Sequence, residues 1–399
     1  MSISDFNLEK QLFDIAIVGG SFSGLSSAIK ASENGSKVVI LEKKLEIDSP
    51  IRTSGGSWIK NLKDLGITDD LWNPIRKIRF FSPNRNVQFD YFEPEACVLN
   101  IRKLIQFLAT RALNNKAILN LGANVTKVTV NEKDYVAISY SKFGREHVLY
   151  SKLVIDASGH NSFVAKSVGL SQGFKRMGFG AEYEGICEDF PQDESWLLLG
   201  SEFSPKGYSY IFSSGENKVR IGVDLIDPKN GFSEVNQYLL KFISEDKRVY
   251  SYTKNFKPMY YHFGVVPSGK VLVKTVSNRT IIVGDSAGQV SYITGEGIRY
   301  AIEMGYYAGE AADKAVKAND FSEHFLAKNY DSIWKRKYLK KFELATLINR
   351  KISETSDNAL DRGVDLYLKK LSPARFADLL KLEFSLKDKS LSFFIKLFN

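Results

Sequence analysis

A chain of 399 residues, 44% hydrophobic and 25% charged, is long enough for two or three packed domains and is composed like a globular protein, which excludes disordered and fibrous classes. No apolar run reaches the roughly 18 residues of a membrane-spanning helix, and no basic-then-apolar leader opens the chain, so cytoplasmic residence is expected. The formal charge of +9 favours anionic lipid or an acidic electron carrier; no nucleic-acid-binding signature accompanies it, and Cys97 and Cys187 offer neither a disulfide framework nor metal-ligand spacing.

Residues 14–42 predict strand, tight turn, helix and strand. Ile15, Ile17 and Val18 form the first strand, Leu25, Ala28 and Ile29 share one helix face, and Val38-Val-Ile-Leu41 is a parallel partner that ends at Glu42. A glycine-containing loop, Arg52-Thr-Ser-Gly55-Gly56, follows Pro50. Residues 77–81 and 86–91 predict a hairpin, 101–113 a helix, and Val125–Val130 with Ala137–Tyr140 a second hairpin. The run Leu153-Val-Ile-Asp156 is an apolar strand that stops at a glycine turn. Residues 180–275 are rich in strands and aromatic rings. Tyr208, Tyr210 and Phe212 alternate and so share one face of a strand. From 297 onward the pattern is helical.

Two segments about 260 residues apart carry the chemistry. Gly19-Gly20-Ser21-Phe22-Ser23-Gly24 departs from Gly-x-Gly-x-x-Gly only at Ser21, whose hydroxyl is free to donate to a phosphate. Gly19 allows the tight turn, Gly24 allows helix to pack on strand, and the helix start offers N–H groups and positive potential to a pyrophosphate. Glu42 follows where a carboxylate can accept the hydroxyls of an adenosine ribose. The second segment, Thr280-Ile-Ile-Val-Gly284-Asp285, delivers an acid at a strand end, suited to ribityl hydroxyls. Gly295-Glu296-Gly297-Ile298 then opens a helix whose first N–H groups can stabilise charge on a reduced flavin. Together the segments predict noncovalently bound FAD and no metal.

With these residues in place, the chain resembles the geranylgeranyl reductase family, FAD enzymes with the p-hydroxybenzoate hydroxylase fold, over roughly residues 12–350. The fingerprint through Glu42-Lys43, the Pro50-Ile-Arg52-Thr53 loop, the Tyr208-Ser-Tyr210-Ile-Phe212 strand with Gly222, and the Gly284-Asp285 to Ile298 segment carry the resemblance. It implies an α/β fold: a Rossmann-like FAD domain (1–75, 99–175 and 276–320), an inserted antiparallel-sheet substrate domain (76–98 and 176–275) and a helical region (321–399). It also implies saturation of carbon–carbon double bonds in isoprenoid lipid chains, with reduced ferredoxin or NAD(P)H as electron donor. Arg52 and its neighbours would approach the flavin from the other side, and Lys43 would bind the cofactor beside Glu42; Ile101 stands at a position often filled by an FAD-contacting arginine, with Arg102 adjacent. Tyr208, Tyr210, Phe212, Thr53 and Gly222 would face substrate. Thr53 stands where the family pattern has cysteine, Tyr210 where it has tryptophan, and Ser158 where an aspartate is usual.

Reduction of an isolated alkene also needs a proton donor, for which Tyr208, Tyr210 and Tyr292 are the candidates in the sequence; His147, His160, His262 and His324 read as surface or structural. A flavin monooxygenase and an electron-transfer flavoprotein are the competing readings. Leu391, Phe394, Ile395 and Phe398, with flanking lysines and the basic run 335–341, suggest contact with a membrane surface.

Overall fold

The computed structural model describes residues 11–131 and 134–383, so the stripe at 391–398 lies outside the described residues. Among the described residues, an eight-stranded sheet forms one half of the fold. Its centre is strand Leu12–Val18, paired in parallel with Val38–Glu42 on one side and with Arg145–Asp156 on the other. Both faces of this strand are covered, which is why Ile15, Ala16 and Ile17 form a continuous apolar run and show no exposure. Thr280–Ile282 extends the parallel set beside Val154, Ile155 and Asp156. The hairpin Asn124–Val130 with Val136–Lys142 hangs on the long strand.

The second half is a seven-stranded sheet ordered Lys257–Pro267, Met177–Ile186, Lys218–Ile226, Tyr208–Gly215, Glu194–Leu198, Lys77–Phe81 and Asn86–Asp90. All of its neighbours are antiparallel except Glu194–Leu198 against Lys77–Phe81. A small sheet of Gly56–Trp58, Ala96–Leu99 and Trp72–Ile75 has its own ladder and packs on the Tyr208–Gly215 strand, to which Asn73 donates at the Ser213 carbonyl.

Two helices bring the distant motifs together. Helix Phe22–Glu33 crosses helix Ile298–Ala318 where small residues face each other. A Cβ at Gly305 would lie 2.6 Å from the Ser23 carbonyl oxygen, and one at Gly309 would overlap that of Ser27. The backbones therefore approach closely, and the two helix starts open toward one site.

The helical run from Glu323 to Glu354 is interrupted by π turns at Ala327–Asp331 and Lys335–Leu339. Leu326, Tyr330, Trp334, Tyr338 and Phe342 recur every four residues, and all are buried. A regular helix of 3.6 residues per turn would swing that row off one face; the wider turns keep it aligned. Part of the basic run is tied inward: Lys335 pairs with Asp331 and Lys337 with Glu303, while Arg336 and Lys340 stay exposed.

Candidate active site

One cavity of about 930 Å³ runs from the Gly19 turn to the aromatic strand of the second sheet. At its first end the chain is shaped for a pyrophosphate. Gly19 has φ of 107°, and a Cβ there would overlap the Ala157 carbonyl. Ser21 is the exposed N-cap of helix Phe22–Glu33, and its side chain caps nothing. Glu42 is buried with both carboxylate oxygens held: Oε2 accepts from the Gly20 N–H at 2.7 Å and Oε1 from the Lys44 N–H at 2.9 Å. A ribose would meet a preoriented acceptor.

Basic side chains line the same end: Lys43, Lys44, Arg52 and Lys166, with the His160 imidazole among them. Burial, then Arg52, Lys43 and Lys166, hold the His160 imidazole below its ordinary range. Burial lowers the Lys44 ammonium too; Arg52 and Lys43 add to the effect and Glu42 opposes it. Crowded cations of this kind fit two phosphates, whose charge would relieve their repulsion. Lys44, His160 and Lys166 were not legible from sequence pattern, because only folding brings them beside the loop.

The second end fits a flavin. Asp285 faces the cavity, no described side chain or N–H donates to its carboxylate, and burial pushes it up to about 6. An acceptor without a donor is costly in such a place, and ribityl hydroxyls would supply the donors. Gly295, Glu296, Gly297 and Ile298 line the cavity at the start of helix Ile298–Ala318. Glu296 is already engaged: it accepts from Arg299 Nε at 2.9 Å through both oxygens and from Ser57 Oγ at 2.8 Å. Its carboxylate therefore braces the turn, and the turn's backbone is what faces a ligand. Tyr292 donates to the Gly288 carbonyl at 2.7 Å and so also fixes the loop.

The wall opposite is built by register. Tyr210 pairs with Gly222, Gly222 with Glu182, and Glu182 with His262, so these residues form one row across four strands. One row along, Tyr208 pairs with Asp224 and Asp224 with Gly180. The side chains of both rows emerge on the same face. A Cβ at Gly222 would overlap the Tyr210 ring, so Gly222 makes room for the ring and does not itself line the cavity. Tyr208, Tyr210 and Phe212 do line it, with centroids 5.8 Å and 4.6 Å apart in sequence order.

Of the other residues proposed for the site, Ser23, Arg52 and Thr53 line the cavity. Gly24 and Gly284 lie behind it: a Cβ on Gly24 would overlap the Gly19 carbonyl, and one on Gly284 would lie 2.8 Å from Ser23 Oγ. Arg102 sits away from it, with Nη1 3.4 Å from the Asp48 carbonyl and its guanidinium 5.7 Å from the Tyr260 ring centre, while Ile101 takes the lining position. Sequence reading overlooked Glu182 and Asp224 and read His262 as surface or structural. His262 is 5% exposed, holds Glu182 Oε1 at 3.0 Å through Nδ1, and has its Nε2 buried with no hydrogen-bond partner among the described residues. Alternation along Lys257–Pro267 was the available signal, but it gives no register.

Residues 14–171 match the FAD-dependent oxidoreductase family and residues 179–260 the geranylgeranyl reductase catalytic domain. A digeranylgeranylglycerophospholipid reductase of Methanocaldococcus jannaschii is 31% identical over 359 residues, covering 88% of this chain and 89% of that protein. Digeranylgeranylglycerophospholipid reductase 2 of Methanopyrus kandleri is 28% identical, covering 88% and 90%. A geranylgeranyl bacteriochlorophyll reductase-like crystal structure from Thermoplasma acidophilum shares the fold with a TM-score of 0.85 at 24% identity, covering 98% of this chain and all of that one. The chain belongs to the geranylgeranyl reductase family and is an FAD-dependent oxidoreductase acting on isoprenoid chains.

Proposed function

We propose that the substrate is a glycerophospholipid bearing geranylgeranyl chains and that its double bonds are saturated in front of the 208–212 strand. The observation that carries this reading is the continuity of the cavity: the loops fitted to FAD and the three successive rings of the 208–212 strand line one space. FAD, when bound and reduced, supplies a hydride. The rings supply apolar contact along a chain that has no charge to recognise, at about 0.8 kcal/mol for each buried methylene. A Cβ at Gly56 would lie 3.3 Å from the Phe212 ring, so a side chain there would press on that ring. Arg220 donates to the carbonyls of Ser54 at 2.5 Å and Leu99 at 3.1 Å and so holds the Arg52–Gly56 loop against the sheet.

Reduced ferredoxin or NAD(P)H is the proposed electron source; the sequence carries no second dinucleotide fingerprint. Contact with a membrane surface would deliver such a lipid, and no helix among the described residues is long and apolar enough to cross a membrane.

The reading is tested with Tyr208→Ala, Tyr210→Ala and Phe212→Ala, assayed for turnover of geranylgeranyl lipid and for retained flavin. Loss of turnover on the order of tenfold or more with flavin retained is the expected result. Normal turnover in all three would remove these rings from the substrate wall. A Phe212→Ala protein that is merely less stable, with an unchanged Michaelis constant, would make that ring part of the core alone.

A further inference from the structure

Saturating an isolated alkene takes a hydride at one carbon and a proton at the other. The tyrosines are poorly placed to give that proton. Tyr208 donates to the Thr294 carbonyl at 2.7 Å and Tyr210 to Glu182 Oε2 at 2.8 Å. Burial, then the facing carboxylates Asp224 and Glu182, push both hydroxyls well above the ordinary tyrosine range. Tyr292 is raised by burial and then by Asp285. Thr53, where the family pattern has cysteine, offers only an alcohol.

The same face carries a better acid. Asp224 lines the cavity between Tyr208 on one neighbouring strand and Gly180 on the other. A Cβ at Gly180 would overlap Asp224 Oδ1, so glycine is what lets the carboxyl lie over that strand. Glu182, next along the row, accepts from both Tyr210 and His262. Two nearby carboxyls with unequal donors divide their charge, and the proton goes to the one with fewer. Burial first and Glu182 second push Asp224 up to about 7, against a hydrogen bond with Tyr208 that lowers it. Tyr208 stands between the acid and the loop: its side chain is hydrogen-bonded to Asp224, and its hydroxyl donates to the Thr294 carbonyl. Thr294 belongs to the turn before helix Ile298–Ala318, so the acid is tied to the loop fitted to the flavin.

We infer that Asp224 is the catalytic acid of the reductase, an assignment that rests on the function proposed above. As the hydride's electron pair forms one C–H bond, the π pair takes the proton from the Asp224 carboxyl at the adjacent carbon. Asp224 is left as a carboxylate and regains a proton from solvent when product leaves. Tyr208 positions it, and Glu182, held by Tyr210 and His262, sets its charge.

Burial, Glu182 and Tyr208 set the titration of Asp224. The other titratable and charged groups on the elements around it are Glu184, His262 and Arg220 on the sheet, Tyr210 beside it, Lys206 before that strand, Arg52 from the loop packed on Gly264, and Asp285 beyond the Thr294 turn. The protonated form is the active one, so turnover should be present below pH about 7 and fall as pH rises through it.

Asp224→Asn keeps the shape of the neutral acid and removes the proton. Its lipid turnover should drop on the order of 10²-fold to 10⁴-fold, with FAD binding and chemical reduction of the flavin unchanged, and the alkaline fall should vanish from what remains. Tyr208→Phe removes the hydrogen bond that lowers Asp224, so the alkaline fall should move to higher pH. Infrared spectra of the flavin-free protein give a readout apart from activity: a carboxylic-acid carbonyl band should disappear as pH rises through about 7 and be missing from Asp224→Asn. Wild-type turnover in Asp224→Asn, or an unchanged infrared band, would overturn the assignment while leaving the reductase reading intact. Wild-type protein that leaves the lipid unreduced would remove that reading and the catalytic assignment together, with the band still reporting whether Asp224 holds a proton.

Discussion

At the scale of single residues, the site is built from acceptors that differ in whether the fold satisfies them. Glu42 and Glu296 are held by protein donors, and Asp285 is not. In the flavin-free protein Asp285 sits at about 6 against an ordinary 3.8, so folding raises its affinity for a proton. Its contribution to stability is fully present below about 3.8 and is lost as pH rises through about 6. Asp285→Asn should therefore melt higher than the parent at about pH 8 and match it near pH 4, in flavin-free protein. The same change should weaken FAD retention, since an amide is a poorer partner for ribityl hydroxyls. Equal retention with unchanged thermal stability at both pH values would mean that Asp285 serves neither purpose. The tight turn at Gly19, the close packing at Gly24 and the place of Glu42 at the end of its strand were legible because short-range spacing sets them. Asp224, Glu182 and His262 were not, because each is ordinary within its own strand and becomes a cluster only through cross-strand register.

At the scale of elements, local patterns described the strands and helices well. The strand–helix–strand unit, the hairpin of Lys77–Phe81 with Asn86–Asp90, and helix Ile101–Asn114, capped by Asn100 accepting from the Lys103 N–H, all follow from periodicity and turn residues. The crossing of Phe22–Glu33 with Ile298–Ala318 does not, since small residues reveal close packing only once the partner is known. Gly309→Val should force the helices apart at Ser27, at a cost of about 1–3 kcal/mol, and should lower FAD affinity because both helix starts face the cofactor site. Thermal melting and flavin titration together check this. Lost stability with full FAD affinity would uncouple the crossing from the site. Asp156 is a second joint read only from the structure: it accepts from the N–H groups of Ser158 and Ala165 and from the hydroxyls of Ser158 and Ser286, binding two loops to the sheet. Ser158, which departs from the usual aspartate, is one of its partners.

At the scale of the whole molecule, two sheets with different work share one cavity. The eight-stranded sheet ends in loops that offer backbone N–H groups and cations at one end, and the seven-stranded sheet offers rings and carboxyls at the other. Helical residues close the space from a third side, with Ile352, Leu368, Phe376 and Leu380 in its lining. Periodicity predicted helices from 297 onward but not which of their residues would line the cavity, because amphipathic spacing does not say which surface a helix covers. The central claim is that electrons held on the flavin pass to an isoprenoid double bond here. Its most direct test is an anaerobic single turnover, in which reduced protein is mixed with geranylgeranyl phospholipid while the flavin absorbance and the product mass are followed. Return of the oxidised flavin spectrum in step with the gain of two hydrogens per flavin is the predicted result. A spectrum that returns only when oxygen is admitted, with an oxygenated product, would contradict it.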